Sequence, residues 1–122
     1  MKFTPWQLGQ YLRSAENDLH IAQNSNIPEV IFKFSYDAFI KVGITLIARQ
    51  GYKVRSMVGH HVKIIEKVSQ LLRNEDVAVY GNNMRKMRNI DLYDGGAFIT
   101  ERDSKAFLTF VRGIFNQVEL LS

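Results

Sequence analysis

Apolar residues recur every three or four positions along most of the chain, and this is the spacing of amphipathic α-helices. The first stripe comprises Leu8, Leu12, Ala15, Leu19 and Ala22. It predicts a helix from Pro5 to about residue 23, because Pro5 suits the first helical position and Thr4 with Gln7 forms a capping box. The helical period therefore begins almost at the first residue.

Four more helices are predicted by the same period and by residues typical of helix ends. The second, about 29–50, is the most apolar and stops at Gly51. The third covers about 57–73 after a Ser56 cap. The fourth follows an Asp76 cap and ends at Gly95–Gly96. The last begins at Thr100, with Asp103 in its first turn.

In the fourth helix, Tyr80, Met84, Met87 and Ile90 recur every three or four positions and form its apolar stripe. Alternating runs long enough for a strand are absent from the sequence, and the turns between the helices are short. We therefore expect an all-α fold, an up-and-down bundle of four to five helices, with residues 1–122 forming a single domain.

Composition narrows the class of protein. Apolar residues make up 46% of the chain and aromatic residues 11%, which suits a packed core. The sequence shows neither a membrane-spanning stretch nor a signal-peptide core, so we expect a cytoplasmic protein that does not contact membranes. With zero cysteines, disulfides, thiolate catalysis and cysteine-type zinc sites are excluded.

The net charge of +4 is unevenly distributed. Residues 41–73 carry seven lysines and arginines against one acidic residue, Glu66. Such a surface attracts a polyanion or an acidic protein partner. A solvated helix face without a partner is the alternative, and the sequence leaves both open.

The segment from Met84 to Gly96 concentrates groups that bind phosphate. Arg85 and Arg88 lie three positions apart, so their guanidinium groups point to nearly the same face of a helix. Lys86 adds charge, and Asn89 adds a neutral donor and acceptor. A purely structural alternative pairs Arg88 with Asp91. Tyr93 would be able to donate to a phosphate or stack on a base.

Two adjacent histidines, His60 and His61, open the third helix. Adjacent helical positions differ by 100°, so one metal ion is not expected to bind both, and neither a metal nor a cofactor is predicted. Packing or capping is one role for them, and proton transfer is another.

The segment Arg88-Asn89-Ile90-Asp91-Leu92-Tyr93, within a small helical bundle, resembles the HEPN domains of prokaryotes. Their motif is an arginine, often followed by a polar residue, with a histidine four to six residues later. Here Tyr93 stands at the histidine position. Gly59-His60-His61 and the apolar second helix ending at Gly51 also fit small HEPN proteins.

The resemblance implies a homodimer that binds RNA or a nucleotide, with Arg88 and Tyr93 at the catalytic positions. It also implies that the protein belongs to a toxin–antitoxin pair or has a small nucleotidyltransferase as its partner. Arg88 and Asn89 would contact phosphate, and the remaining cations would extend the surface: Arg85, Lys86, Lys63 and Lys67. Since the motif histidine is replaced, weak or no nuclease activity is expected.

Two alternatives stay open. One is an active metal-independent endoribonuclease in which His60 or His61 acts with Arg88. The other is a protein-interaction module that binds an acidic partner and no RNA.

Overall fold

The structure, a computed structural model, describes residues 4–52, 59–93 and 99–121, including their side chains except those of residues 91–93. This part of the chain contains helices and no strand, which confirms the all-α prediction. The helices are α1 (Pro5–Gln23), α2 (Pro28–Arg49), α3 (His61–Leu72), α4 (Glu75–Tyr93) and α5 (Glu101–Leu120).

The caps predicted for α1 and α5 are confirmed. Thr4 Oγ1 accepts from the Gln7 amide at 3.1 Å, and the Gln7 side chain accepts from the Thr4 amide at 2.8 Å. Thr100 Oγ1 accepts from the Asp103 amide at 3.0 Å. Each bond satisfies an amide that a helix start leaves without a partner.

Two predicted helix starts were wrong. Described helix α3 begins at His61 rather than near residue 57, because Gly59 has φ +85° and cannot continue a right-handed helix. The predicted Ser56 cap lies outside the described residues. Helix α4 begins at Glu75, and Asn74 Oδ1, not Asp76, accepts the first free amide at 3.0 Å.

Helix α2 forms the centre of the bundle and packs against α1, α3, α4 and α5. Its buried side chains include Tyr36, Phe39, Ile44 and Ile47. Burial on several faces explains why its sequence is nearly continuously apolar and why it was expected to be the most buried helix. Helix α5 returns to α2 and makes few contacts with α4.

Close approach of α3 and α4 to α2 depends on two glycines. A Cβ at Gly43 would lie 2.9 Å from a Val68 methyl group. A Cβ at Gly81 would lie 2.8 Å from an Ile65 methyl group and 3.1 Å from the Phe39 ring. Both helix pairs therefore pack more tightly than an alanine would allow.

The apolar stripe of α4 is buried only in part. Met84 is fully buried, but Tyr80 and Ile90 are 40% and 45% exposed. Val77 and Gly81 are buried instead. The buried face of α4 therefore runs through Gly81 rather than Tyr80, because α4 packs closely against Phe39 and Ile65 at Gly81.

Helix α1 attaches to α2 partly through a polar contact. Lys41 Nζ lies 2.7 Å from Asp18 Oδ2 and 2.9 Å from Ser14 Oγ. Asp18 is almost fully buried, so the Lys41 ammonium group rather than water compensates its negative charge. Across the described ranges, every helix is too short or too polar to cross a membrane.

Candidate functional site

A polar cleft of about 630 Å³ lies between the N-terminal end of α3 and the C-terminal half of α4. Most of the side chains that line it are basic or amide-bearing. The lining residues are Gly59, His60, His61, Val62, Lys63, Arg85, Arg88 and Asn89. Six of the nine candidate site residues therefore meet at one place.

The two walls follow from local structure. On α4, Arg88 and Asn89 lie three and four positions after Arg85 and so share one face with it. On the opposite wall, His60 is the N-cap of α3 and His61 its first residue, and the His60 side chain makes no capping bond. Among the described residues the first amides of α3 have no side-chain cap, and they lie with the positive end of the helix dipole at the cleft end of α3.

Tyr36 of α2 lies behind both walls. Its hydroxyl oxygen is 2.7 Å from Nδ1 of His61, within hydrogen-bonding distance. The ring centroids of Tyr36 and His61 are 5.5 Å apart, and the Arg88 guanidinium carbon lies 5.8 Å from the Tyr36 centroid. Tyr36 therefore contacts the two groups that carry the chemistry of the cleft.

Burial and charge act together on these groups. Loss of hydration lowers the pKa of His61 below its ordinary value, and the nearby Arg88 lowers it further. Burial raises the pKa of Tyr36 well above its ordinary value, although Arg88 and Arg85 oppose that effect. At neutral pH the site consists of a neutral imidazole and a neutral phenol beside two guanidinium groups.

Among the described residues, Arg85 and Arg88 have few protein partners. Arg85 Nε is 3.4 Å from Asn82 Oδ1, a long hydrogen bond, and its remaining donors have no protein partner among the described residues. Within the same residues, neither Arg85 nor Arg88 forms a salt bridge with a carboxylate. The alternative pairing of Arg88 with Asp91 falls on a side chain outside the described set.

Three predicted residues are not part of the lining. Lys86 is exposed on α4, away from the cleft. Lys67 lies one turn beyond Lys63, with its ammonium nitrogen 3.7 Å from the Tyr52 ring centroid, a cation–π contact. Tyr93 ends α4, and its side chain lies outside the described residues. The basic surface is therefore wider than the cleft.

Sequence reasoning missed Tyr36. It stands between Ser35 and Asp37, and this polar interruption of the most apolar helix was the one available signal. Its partner is 25 positions away on another helix. A contact of that kind is set by helix packing and has no local pattern.

A second open groove, about 650 Å³, lies between α4 and α5. Tyr80 and Phe110 stack there with centroids 5.0 Å apart. Among the described residues that line it, Asp76 is the one that carries a charge. A carboxylate repels phosphate, so this groove is the weaker candidate for an anion.

The cleft offers cationic forks, a neutral imidazole, an amide and helix N–H donors, and this combination binds an anion with several acceptor oxygens. In the described part of the chain, groups of three or more His, Asp or Glu side chains in a metal-binding arrangement are absent. In the comparisons with known proteins, no protein-family model, curated protein or solved structure matches this chain.

Proposed function

We propose that the protein binds RNA or a nucleotide through phosphate contacts in the cleft between α3 and α4. The observation that carries the proposal is the meeting of Arg85, Arg88 and Asn89 with the N-terminal end of α3 on one polar surface. Arginine forks bind phosphate oxygens in pairs, and the helix dipole favours negative charge.

The cations around the cleft favour the binding of a long polyanion over the binding of a small anion. Lys63 stands at the edge of the cleft, and Lys67 and Lys86 are on nearby turns of α3 and α4. A chain of phosphates would gain from each of these cations, because every neutralised phosphate releases bound counterions. A single phosphate would reach few of them.

The binding experiment titrates a fluorescent single-stranded RNA with the protein at several salt concentrations. Arg88→Ala is expected to lower affinity and to flatten the plot of log affinity against log salt by about 0.7 per lost phosphate contact. The matched control is Arg112→Ala, which removes an exposed arginine from α5 with the same change in net charge. Equal losses in the two variants would contradict a specific site.

A protein partner also belongs to this proposal. A small nucleotidyltransferase and a toxin–antitoxin role are expected from the resemblance to HEPN proteins, and the basic surface suits an acidic partner. Co-purification tests this directly. If a partner binds the unmodified protein and Arg88→Ala equally well, and neither of these two forms binds RNA, the result would favour the interaction-module alternative.

Metal-independent RNA cleavage is the second candidate, and the approach of His61 to Arg88 favours it. The alternative required a histidine ring near Arg88, and both groups contact the Tyr36 ring within one chain. Attack of a 2′-hydroxyl on its phosphorus would break the bond to the 5′-oxygen. The 2′-hydroxyl would give its proton to one histidine of the pair His60 and His61, the leaving 5′-oxygen would take a proton from the other, and Arg88 would stabilise charge on the phosphoryl oxygens.

Cleavage is tested with a structured RNA in the presence of a chelator. Activity that survives the chelator, and disappears in His61→Gln even when the protein is concentrated enough to bind all of the RNA, is the expected result for this candidate. An intact RNA after prolonged incubation with the unmodified protein leaves binding as the function.

A further inference from the structure

The hydrogen bond between Tyr36 and His61 has a direction that the surroundings determine. Tyr36 is 1% exposed, so bulk water does not reach its hydroxyl. Among the described residues, Nδ1 of His61 is the one acceptor within hydrogen-bonding distance of that hydroxyl. A buried O–H without an acceptor costs about 1–3 kcal/mol, whereas a phenol oxygen that accepts nothing costs little.

Both hydrogens cannot occupy this contact. A neutral imidazole carries one N–H and one lone pair. If Nδ1 carried the proton, its N–H would donate to the phenol oxygen, and the phenol O–H would turn away and find no other acceptor among the described residues. The high pKa of Tyr36 removes the remaining alternative, a phenolate that accepts from Nδ1.

We propose that Tyr36 is a positioning residue: its hydroxyl donates to Nδ1 of His61 and holds the neutral ring in the tautomer that carries its proton on Nε2, the nitrogen left for the cleft. The proposal deepens the phosphate-binding function and rests on it for its role in ligand binding. The cleft then presents a neutral N–H donor beside the Arg88 guanidinium.

The charged groups around the ring favour the same state. Arg88 and Arg85 approach from α4, and both oppose a positive ring, while Asp37 of α2 acts in the other direction. Asp37 is engaged by Lys33 Nζ at 3.2 Å, which weakens its effect. His60 and Lys63 line the cleft on the ring's own helix. Protonation of His61 would also turn Nδ1 into a donor, and the Tyr36 hydroxyl hydrogen would lose its acceptor.

This tautomer changes the chemistry expected of His61. An imidazole with its proton on Nε2 donates to a phosphate oxygen or to a leaving oxygen. It does not remove a proton from a 2′-hydroxyl. If RNA is cleaved, a base for that step must be another group, and His60 on the same wall is the available imidazole.

The experiment records long-range proton–nitrogen correlation spectra of the full-length, ¹⁵N-labelled protein at a pH where His61 is neutral, with His61→Gln to assign its signals. The expected result is an unprotonated Nδ1, a protonated Nε2 and a Tyr36 hydroxyl proton protected from exchange. The tautomer is measured on the unmodified protein, and if His61→Gln does not fold, through-bond correlations from the ring to the His61 backbone give the assignment. A protonated Nδ1 with a bare Nε2 would overturn the proposal.

Titration with inorganic phosphate then tests the consequence. Tyr36→Phe is expected to mix the tautomers and weaken phosphate binding about fivefold, the effect of one neutral hydrogen bond. Tyr80→Phe is the matched control, because it removes a hydroxyl from the groove between α4 and α5. Equal affinity in Tyr36→Phe and the unmodified protein would remove the role of Tyr36 in binding.

The two proposals fail separately. If phosphate and RNA bind to no form of the protein while Nε2 still carries the proton, the proposed function is wrong and the positioning role of Tyr36 stands. If the protein binds RNA and Arg88→Ala binds it more weakly, but Nδ1 of His61 carries the proton, the proposed function is supported and the positioning role of Tyr36 is wrong.

Discussion

At the scale of single residues, the site is a set of charges and donors whose protonation states depend on burial. His61 sits at the first position of α3, half-buried, with Arg88 nearby and Tyr36 behind it. Each of these surroundings disfavours a charged ring, and the positive end of the helix dipole adds to them. The same ring on an exposed helix face would titrate as an ordinary histidine.

This environment predicts a pH dependence of stability. The pKa of His61 is lower in the folded protein than the ordinary 6.5, so the unfolded chain takes up the proton first as the pH falls. The contribution of His61 to folding is therefore fully present above about pH 6.5 and is lost as the pH falls from there toward the folded-state pKa. Urea unfolding at pH 7.5 and 5.5 is expected to show a smaller loss of stability in His61→Gln than in the unmodified protein.

The control for this measurement is His20→Gln, which removes an exposed histidine from α1. It is expected to leave the pH dependence caused by His61 in place. If His61→Gln and His20→Gln change the pH dependence equally, His61 does not have the environment described.

At the scale of helices, the cleft exists because α3 and α4 are held at fixed places on α2. Their contacts with α2 use Gly43 and Gly81, where a methyl group would collide with β-branched side chains or an aromatic ring. Two helices with alanine at these positions would have to move outward. The separation of the cleft walls, and with it the approach of Arg88 to His61, follows from this packing.

Gly81→Ala is therefore expected to destabilise the protein by about 1–2 kcal/mol, because overpacking of the core outweighs the better helix propensity of alanine. Gly113→Ala on α5 is the matched control, since a Cβ there has no neighbour within 4 Å among the described atoms. It should stabilise by about 0.5–1 kcal/mol. Thermal or urea unfolding of both variants gives the comparison, and a stabilised Gly81→Ala would contradict the described packing of α4.

At the scale of the whole molecule, α3 and α4 expose apolar side chains next to charged ones. Val62 lines the cleft and is 49% exposed, and Ile90 is 45% exposed on the Lys86 side of α4, one turn beyond Lys86 and outside the cleft. Exposed apolar side chains beside a charged surface are typical of a protein interface. The homodimer expected from the resemblance stays a prediction, and these residues make it testable.

Sedimentation equilibrium is expected to give twice the mass of one chain for the unmodified protein and one chain mass for Ile90→Asp, because a buried unpaired carboxylate opposes association. Leu120→Asp is the control, since Leu120 is 85% exposed at the end of α5. It should remain a dimer. A monomer at all concentrations for the unmodified protein would contradict the prediction.

Local pattern was sufficient for the helices and for two of their caps. A capping box or an apolar stripe depends on residues three or four positions apart, so its physics is contained in a short stretch of chain. The same locality predicted that Arg85, Arg88 and Asn89 share a face. It failed at the start of α3, where one left-handed glycine decided the boundary, and it did not show that Gly81 lies in the buried face of α4.

What the amino-acid order alone decided is thus the helical class, the central place of α2 and the identity of the basic groups. Tertiary packing decided that the two histidines and the arginines of α4 share a cleft, and that Tyr36 lies behind them. The reason is distance along the chain: Tyr36 and His61 are 25 positions apart, and only the docking of α3 and α4 on α2 brings their atoms to 2.7 Å. Burial also shifts the pKa values of Tyr36 and His61, and because burial arises from tertiary packing, the sequence alone did not predict these shifts.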